Sequence, residues 1–121
     1  MRNDALRMLS HHIRYLHHID GYISGELSDP HLTNYHECEF GRWYYKAALR
    51  NAKLVKSSAY RQLGEKHRLF HRYTDSAVQS YRKGNGESAQ EQMREAHRLH
   101  REIQDLLLEI DRLLQATFSK I

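Results

Sequence analysis

Lys83-Gly84-Asn85-Gly86-Glu87-Ser88-Ala89-Gln90-Glu91 joins two long amphipathic stretches and decides the fold. Its glycines and asparagine adopt backbone conformations that other residues avoid, so Lys83 to Gly86 read as a turn. Ser88 with Glu91 three residues on has the pattern of a capping box, in which side chains satisfy the open N–H groups of a new helix. Met93, Ala96, His100, Ile103, Leu107, Ile110 and Leu114 then recur every three or four residues, which predicts a helix running toward the C-terminus with this line inward. Leu99, Leu106 and Leu113 widen the stripe beyond what an isolated pair of helices needs. Before the turn, Tyr60, Leu63, His67, Phe70, Thr74, Ala77 and Tyr81 form one line on a helix from about Ser57 to Arg82, flanked by Leu69, His71 and Val78.

The same spacing organises the N-terminal half. Ala5, Leu9, His12, Leu16, Ile19 and Ile23 make one stripe on a first helix over roughly residues 4 to 24. His12 faces inward, whereas His11 and His18 leave that line. Gly25 to Asn34, with Pro30, reads as a connection. Asn34 as cap, with Glu37 three residues later, predicts that the second helix starts there and continues through Trp43, Tyr44, Ala47 and Ala48 to about Leu54. No segment alternates as a strand would. Four helices with short connections predict an all-α chain, an antiparallel four-helix bundle with a short segment between the first and second helices, forming one domain over residues 1–121.

Composition removes several function classes. With 121 residues the chain can build one modest core, and it has no apolar run long enough for a membrane span. Asp4, His11, His12 and Arg14 interrupt any signal-peptide-like segment, so a cytoplasmic, reducing location is expected. The net charge of +4 raises nucleic acid as a partner, but basic and acidic residues alternate along helical faces, as in Arg94-Glu95 and Arg101-Glu102, and read as solvated surface.

Cys38 is the only cysteine, so it makes no internal disulfide, and any function for it is that of a metal ligand, nucleophile or redox thiol. It falls at or near the first turn of the second helix, where the helix dipole favours a thiolate. His67 and His71 are the only histidine pair four residues apart, so both imidazoles share one face. With His12 they supply three nitrogens and one sulfur, a donor set that suits tetrahedral zinc. Such a shell leaves no position for substrate and points to a structural or sensory role, not an enzyme. Other readings fit the same residues: hydrogen-bonded core histidines, a small buried cysteine, and a competing pair in His97 and His100. A hemerythrin- or ferritin-like iron or oxygen-binding bundle fits poorly, because no Glu-x-x-His occurs; a metal-free dimerising adaptor bundle stays open.

Three motifs carry a family resemblance. Cys38-Glu39-Phe40-Gly41-Arg42-Trp43 looks like the Cys-x-(Phe/Leu)-Gly-x-Trp signature of the chemoreceptor zinc-binding domain. His12-Ile13-Arg14-Tyr15-Leu16 is similar to its first-helix motif, with tyrosine where tryptophan is more usual, and His67-Arg68-Leu69-Phe70-His71 resembles its His-x-x-x-His pair. The resemblance implies a bacterial cytoplasmic zinc-binding regulatory domain with His12, Cys38, His67 and His71 as ligands. It further implies a signalling partner, a chemoreceptor or diguanylate cyclase, and either zinc level or Cys38 oxidation as the signal. Members are commonly fused to a signalling domain, and neither a chemoreceptor coiled-coil hairpin nor a cyclase is present here, so the chain reads as a free-standing version or a fragment. Consecutive Trp43, Tyr44 and Tyr45 cannot all face one core, and together with the wide leucine stripe they predict a homodimer.

Overall fold

The computed structural model describes residues 4–30, 32, 38–50 and 52–119, and every regular element among them is helical. The helices are α1 (Asp4–Ile23), α2 (Glu39–Arg50), α3 (Ala52–Val55), α4 (Ser58–Arg82) and α5 (Gly86–Ser119). The expected second helix is thus two helical segments, α2 and α3. None is long and apolar enough to cross a membrane.

The α4–α5 hairpin is the frame. Gly84 sits at φ +81°, where a side chain would be strained, and its N–H returns to the Tyr81 carbonyl at 3.0 Å. Asn85 serves both helices: its N–H closes α4 on the Ser80 carbonyl at 2.9 Å, and its Oδ1 opens α5 by accepting the Ser88 N–H at 3.2 Å. The capping box expected at Ser88 is therefore corrected, because the helix already starts at Gly86 and Ser88 is its third residue. α1 ends in the same way at Gly25, with φ +85°, where Glu26 N–H bonds the Gly21 carbonyl at 2.9 Å. Ser57 caps α4 by accepting the Tyr60 N–H at 3.2 Å.

Cross-contacts fix the helix directions. Ser80 donates to Gln92 at 3.0 Å and Lys66 pairs with Glu102 at 3.3 Å, so α4 and α5 run antiparallel. On α1, Tyr15 lies 4.9 Å from the His71 ring and Tyr22 lies 5.1 Å from Tyr81, so α1 runs parallel to α4. Leu63, Phe70, Ala77 and Val78 of α4 meet Ile19 of α1 and Ala96, Ile103, Leu107 and Ile110 of α5 in a core with no solvent exposure at these positions. The sequence stripes of α1, α4 and α5 are recovered in their central turns; Leu9, Ile23 and Tyr81 are half-buried, Met8 joins the core beside Leu9, and Leu113 is exposed.

On α2, Phe40 and Tyr44 are buried, Trp43 is half-buried and Tyr45 is exposed, which divides the three consecutive aromatics as their spacing requires. Tyr44 stacks on Tyr60 with centroids 4.0 Å apart, and each hydroxyl donates to the other residue's carbonyl at 2.8 Å. This reciprocal pair lays α2 on the start of α4. Asn34 and Glu37, expected to cap α2, lie outside the described residues, as do the side chains of Ala5, Ala47, Ala48 and Leu114.

Candidate metal centre

Cys38 stands immediately before α2 and caps it. Its carbonyl accepts the Arg42 N–H at 3.0 Å, the first intrahelical bond, and its Sγ accepts the Gly41 N–H at 3.2 Å. A backbone N–H directed at sulfur, at the positive end of a helix, interacts best with a thiolate. The same Sγ lies 3.4 Å from His67 Nε2 across the gap to α4.

His67 and His71 lie one turn apart on α4, each 3 % exposed, with rings 4.7 Å apart. Ligand atoms of Cys38, His67 and His71 all lie within 4.8 Å of one another, and among the described residues this is the one group of metal-binding type. No carboxylate belongs to it. A tetrahedral zinc with bonds of about 2.3 Å to sulfur and 2.0–2.1 Å to nitrogen separates S and N by roughly 3.5 Å. The Cys38–His67 distance therefore matches an edge of such a tetrahedron, and the donor set fits the metal.

His12, on α1, is brought to the edge of this group and not into it. Its ring centroid is 5.7 Å from that of His67, and its Nδ1 is 2.8 Å from His100 Nδ1. Its Nε2 is buried without a hydrogen-bond partner, a costly condition for an imidazole nitrogen unless an ion or water completes it. Phe40 stacks on His67 at 4.2 Å and Phe70 lies 4.1 Å from His12, so aromatic carbon surrounds the imidazoles.

That enclosure sets their charge. Burial, reinforced by the neighbouring His71, pushes the His67 pKa down to about 2. His12 is held well below the ordinary histidine range by burial and then by His67, His100 and His71. Neutral imidazoles with available lone pairs are what a divalent cation requires. Cys38 is half-buried and thus partly open to solvent.

The competing histidine pair separates. His97 Nε2 meets Asp20 at 2.8 Å on the α1–α5 surface, whereas His100 meets His12. The sequence marked His100 as inward-facing but gave it no partner. Arg14 lies 2.8 Å from His11 on the exposed side of α1, away from the cluster.

A family model described as the chemoreceptor zinc-binding domain matches residues 12–78, more than half of the chain, opening at His12 and extending past His71. No curated protein and no solved structure matches.

Proposed function

Since the chain belongs to the chemoreceptor zinc-binding domain family, we propose that it is a cytoplasmic sensory domain that binds one zinc ion through His12, Cys38, His67 and His71. The 3.4 Å approach of Cys38 Sγ to His67 Nε2 carries this reading, because it sets donors from two helices at a spacing that a zinc ion bridges. In the proposed arrangement α1, α2, α4 and α5 form an antiparallel four-helix bundle, and the site joins three of them. Zinc, when bound, supplies a positive centre that holds all four donors and stabilises the thiolate. His67 and His71 present nitrogens from one rigid face of α4, Cys38 contributes the start of α2, and His12 offers its buried, unpartnered Nε2 from α1 at the edge of the group. Four protein ligands leave no place for substrate, so the role is regulation and not catalysis.

Two signals suit this site. Loss of zinc would release the start of α2 from α4. Alternatively, a peroxide would oxidise the half-buried Cys38 thiolate to sulfenic acid, releasing hydroxide and weakening the sulfur as a ligand. Either change reaches a signalling partner of the chemoreceptor or diguanylate cyclase kind. A second copy of the chain is the further partner proposed, supported by the exposure of Leu6, Tyr45, Leu69, Leu108 and Leu113.

Elemental analysis of protein purified without a polyhistidine tag tests the metal reading. One zinc per chain is expected, with strong loss in Cys38→Ala and no change in His17→Ala. Full zinc content and affinity in Cys38→Ala would overturn it. Light scattering that finds only a 14.4 kDa species at micromolar concentration would remove the homodimer.

A further inference from the structure

α5 gives no residue to the Cys38, His67 and His71 group and lies beyond the residues matched by the family model. Even so, it reaches the site through one side chain. His100 Nδ1 stands 2.8 Å from His12 Nδ1, and the two rings are nearly parallel, 4° apart in plane with centroids at 5.0 Å.

A neutral imidazole has one N–H and one lone pair, so a contact between two Nδ1 atoms needs one donor and one acceptor. If His100 were the donor, His12 would carry its own proton on Nε2, buried without an acceptor and unable to ligate. If His12 is the donor, its proton sits on Nδ1 and its Nε2 lone pair is available to a cation. His100, half-buried, then carries its proton on Nε2, which is the cheaper nitrogen to leave to water.

We propose that His100 is a positioning residue for the metal site: its Nδ1 accepts the His12 Nδ1–H and holds the His12 imidazole in the tautomer whose Nε2 receives zinc. This rests on the reading of His12 as a ligand. A hydrogen-bond acceptor behind a ligating histidine fixes its tautomer and raises its basicity. It also ties α5 to a site whose four ligands come from other helices, so that zinc engages the whole α4–α5 frame.

The test uses the full chain, zinc, and a competing chelator of known affinity, with four variants. Removing the acceptor in His100→Leu should weaken zinc binding by about 10- to 100-fold. His100→Asn, whose Oδ1 offers an acceptor near the position of Nδ1, should keep most of the parent affinity. In a His12→Ala background, His100→Leu should cost nothing further. Long-range proton–nitrogen NMR of the zinc-loaded parent should place the His12 proton on Nδ1. The proposal is overturned if His100→Leu binds as the parent does, if its loss persists in the His12→Ala background, or if the His12 proton is on Nε2. If His12→Ala itself leaves affinity unchanged, the ligand assignment of His12 fails as well. Weak binding by His12→Ala together with parent-like binding by His100→Leu leaves the ligand in place and removes only the positioning role.

Discussion

Tyr44 of α2 occupies the space that a side chain at Gly64 of α4 would need. A Cβ built on Gly64 would collide with the Tyr44 hydroxyl and stand 2.7 Å from Cζ. The glycine thus admits the ring that stacks on Tyr60, and α2 can approach α4 closely enough for Cys38 to meet His67. Alanine is the better helix former by about 1 kcal/mol, yet Gly64→Ala should lower stability by about 1–3 kcal/mol, because the overpacked ring must move. The penalty should shrink in a Tyr44→Ala background. Chemical denaturation of the four proteins of this cycle checks it, and equal penalties in both backgrounds would break the link.

The site imidazoles make stability depend on pH once zinc is stripped. Buried and neutral in the fold, His12 and His67 titrate far below 6.5, the value from which both are lowered, whereas in the unfolded chain they take up protons near it. Above that pH both states are neutral and the histidines do not alter the balance. Below it the unfolded chain binds protons that the folded chain refuses, so stability falls as pH drops, by up to about 1.4 kcal/mol per pH unit for each histidine. Urea unfolding at about pH 7.5, 6.5 and 5.5 should show a plateau and then a decline. In a His67→Phe protein the decline should be shallower.

Zinc should stabilise the fold by about 4 kcal/mol at roughly a thousandfold excess over its dissociation constant. Protection against hydrogen exchange should rise most at the start of α2, around Phe40 to Tyr44, because the sulfur the metal would hold also caps that turn through the Gly41 N–H. The leucine-rich middle of α5 should change least. Equal protection of α2 with and without chelator would make zinc a passive staple.

Asn85, as the cap of α5, should matter more than Ser88. Asn85→Ala is expected to cost about 1 kcal/mol, while Ser88→Ala, inside the first turn, should be close to neutral because alanine is favoured within helices. Thermal melts of the two variants decide, and a larger loss from Ser88→Ala would restore the capping box.

That pair of residues shows where the sequence was legible. Stripes on α1, α4 and α5 were readable because one helical period governs their central turns, and His67 with His71 because their spacing alone puts both on one face. The start of α5 was displaced because two good caps lie three residues apart, and Asn85 prevails by closing α4 with the same residue that opens α5. Cys38 meeting His67 joins positions 29 apart in sequence; stripe position and the zinc-like donor set suggested the grouping, and the family motif strengthened it. The His12–His100 contact was beyond reading, since a stripe tells which residues face inward but not how far one helix slides along another. His12 itself, placed on the site by its stripe and motif, stands at the margin of the group with its Nδ1 already engaged.

Cys38 is at once the proposed ligand and the cap that begins α2, through the Gly41 N–H on its sulfur. Two functions on one atom mean that a change at the sulfur is also felt at the first turn of α2. Any event that takes the sulfur away also removes the anchor from which the helix is wound, so a partner seated there would meet a different length of helix as well as a shifted one.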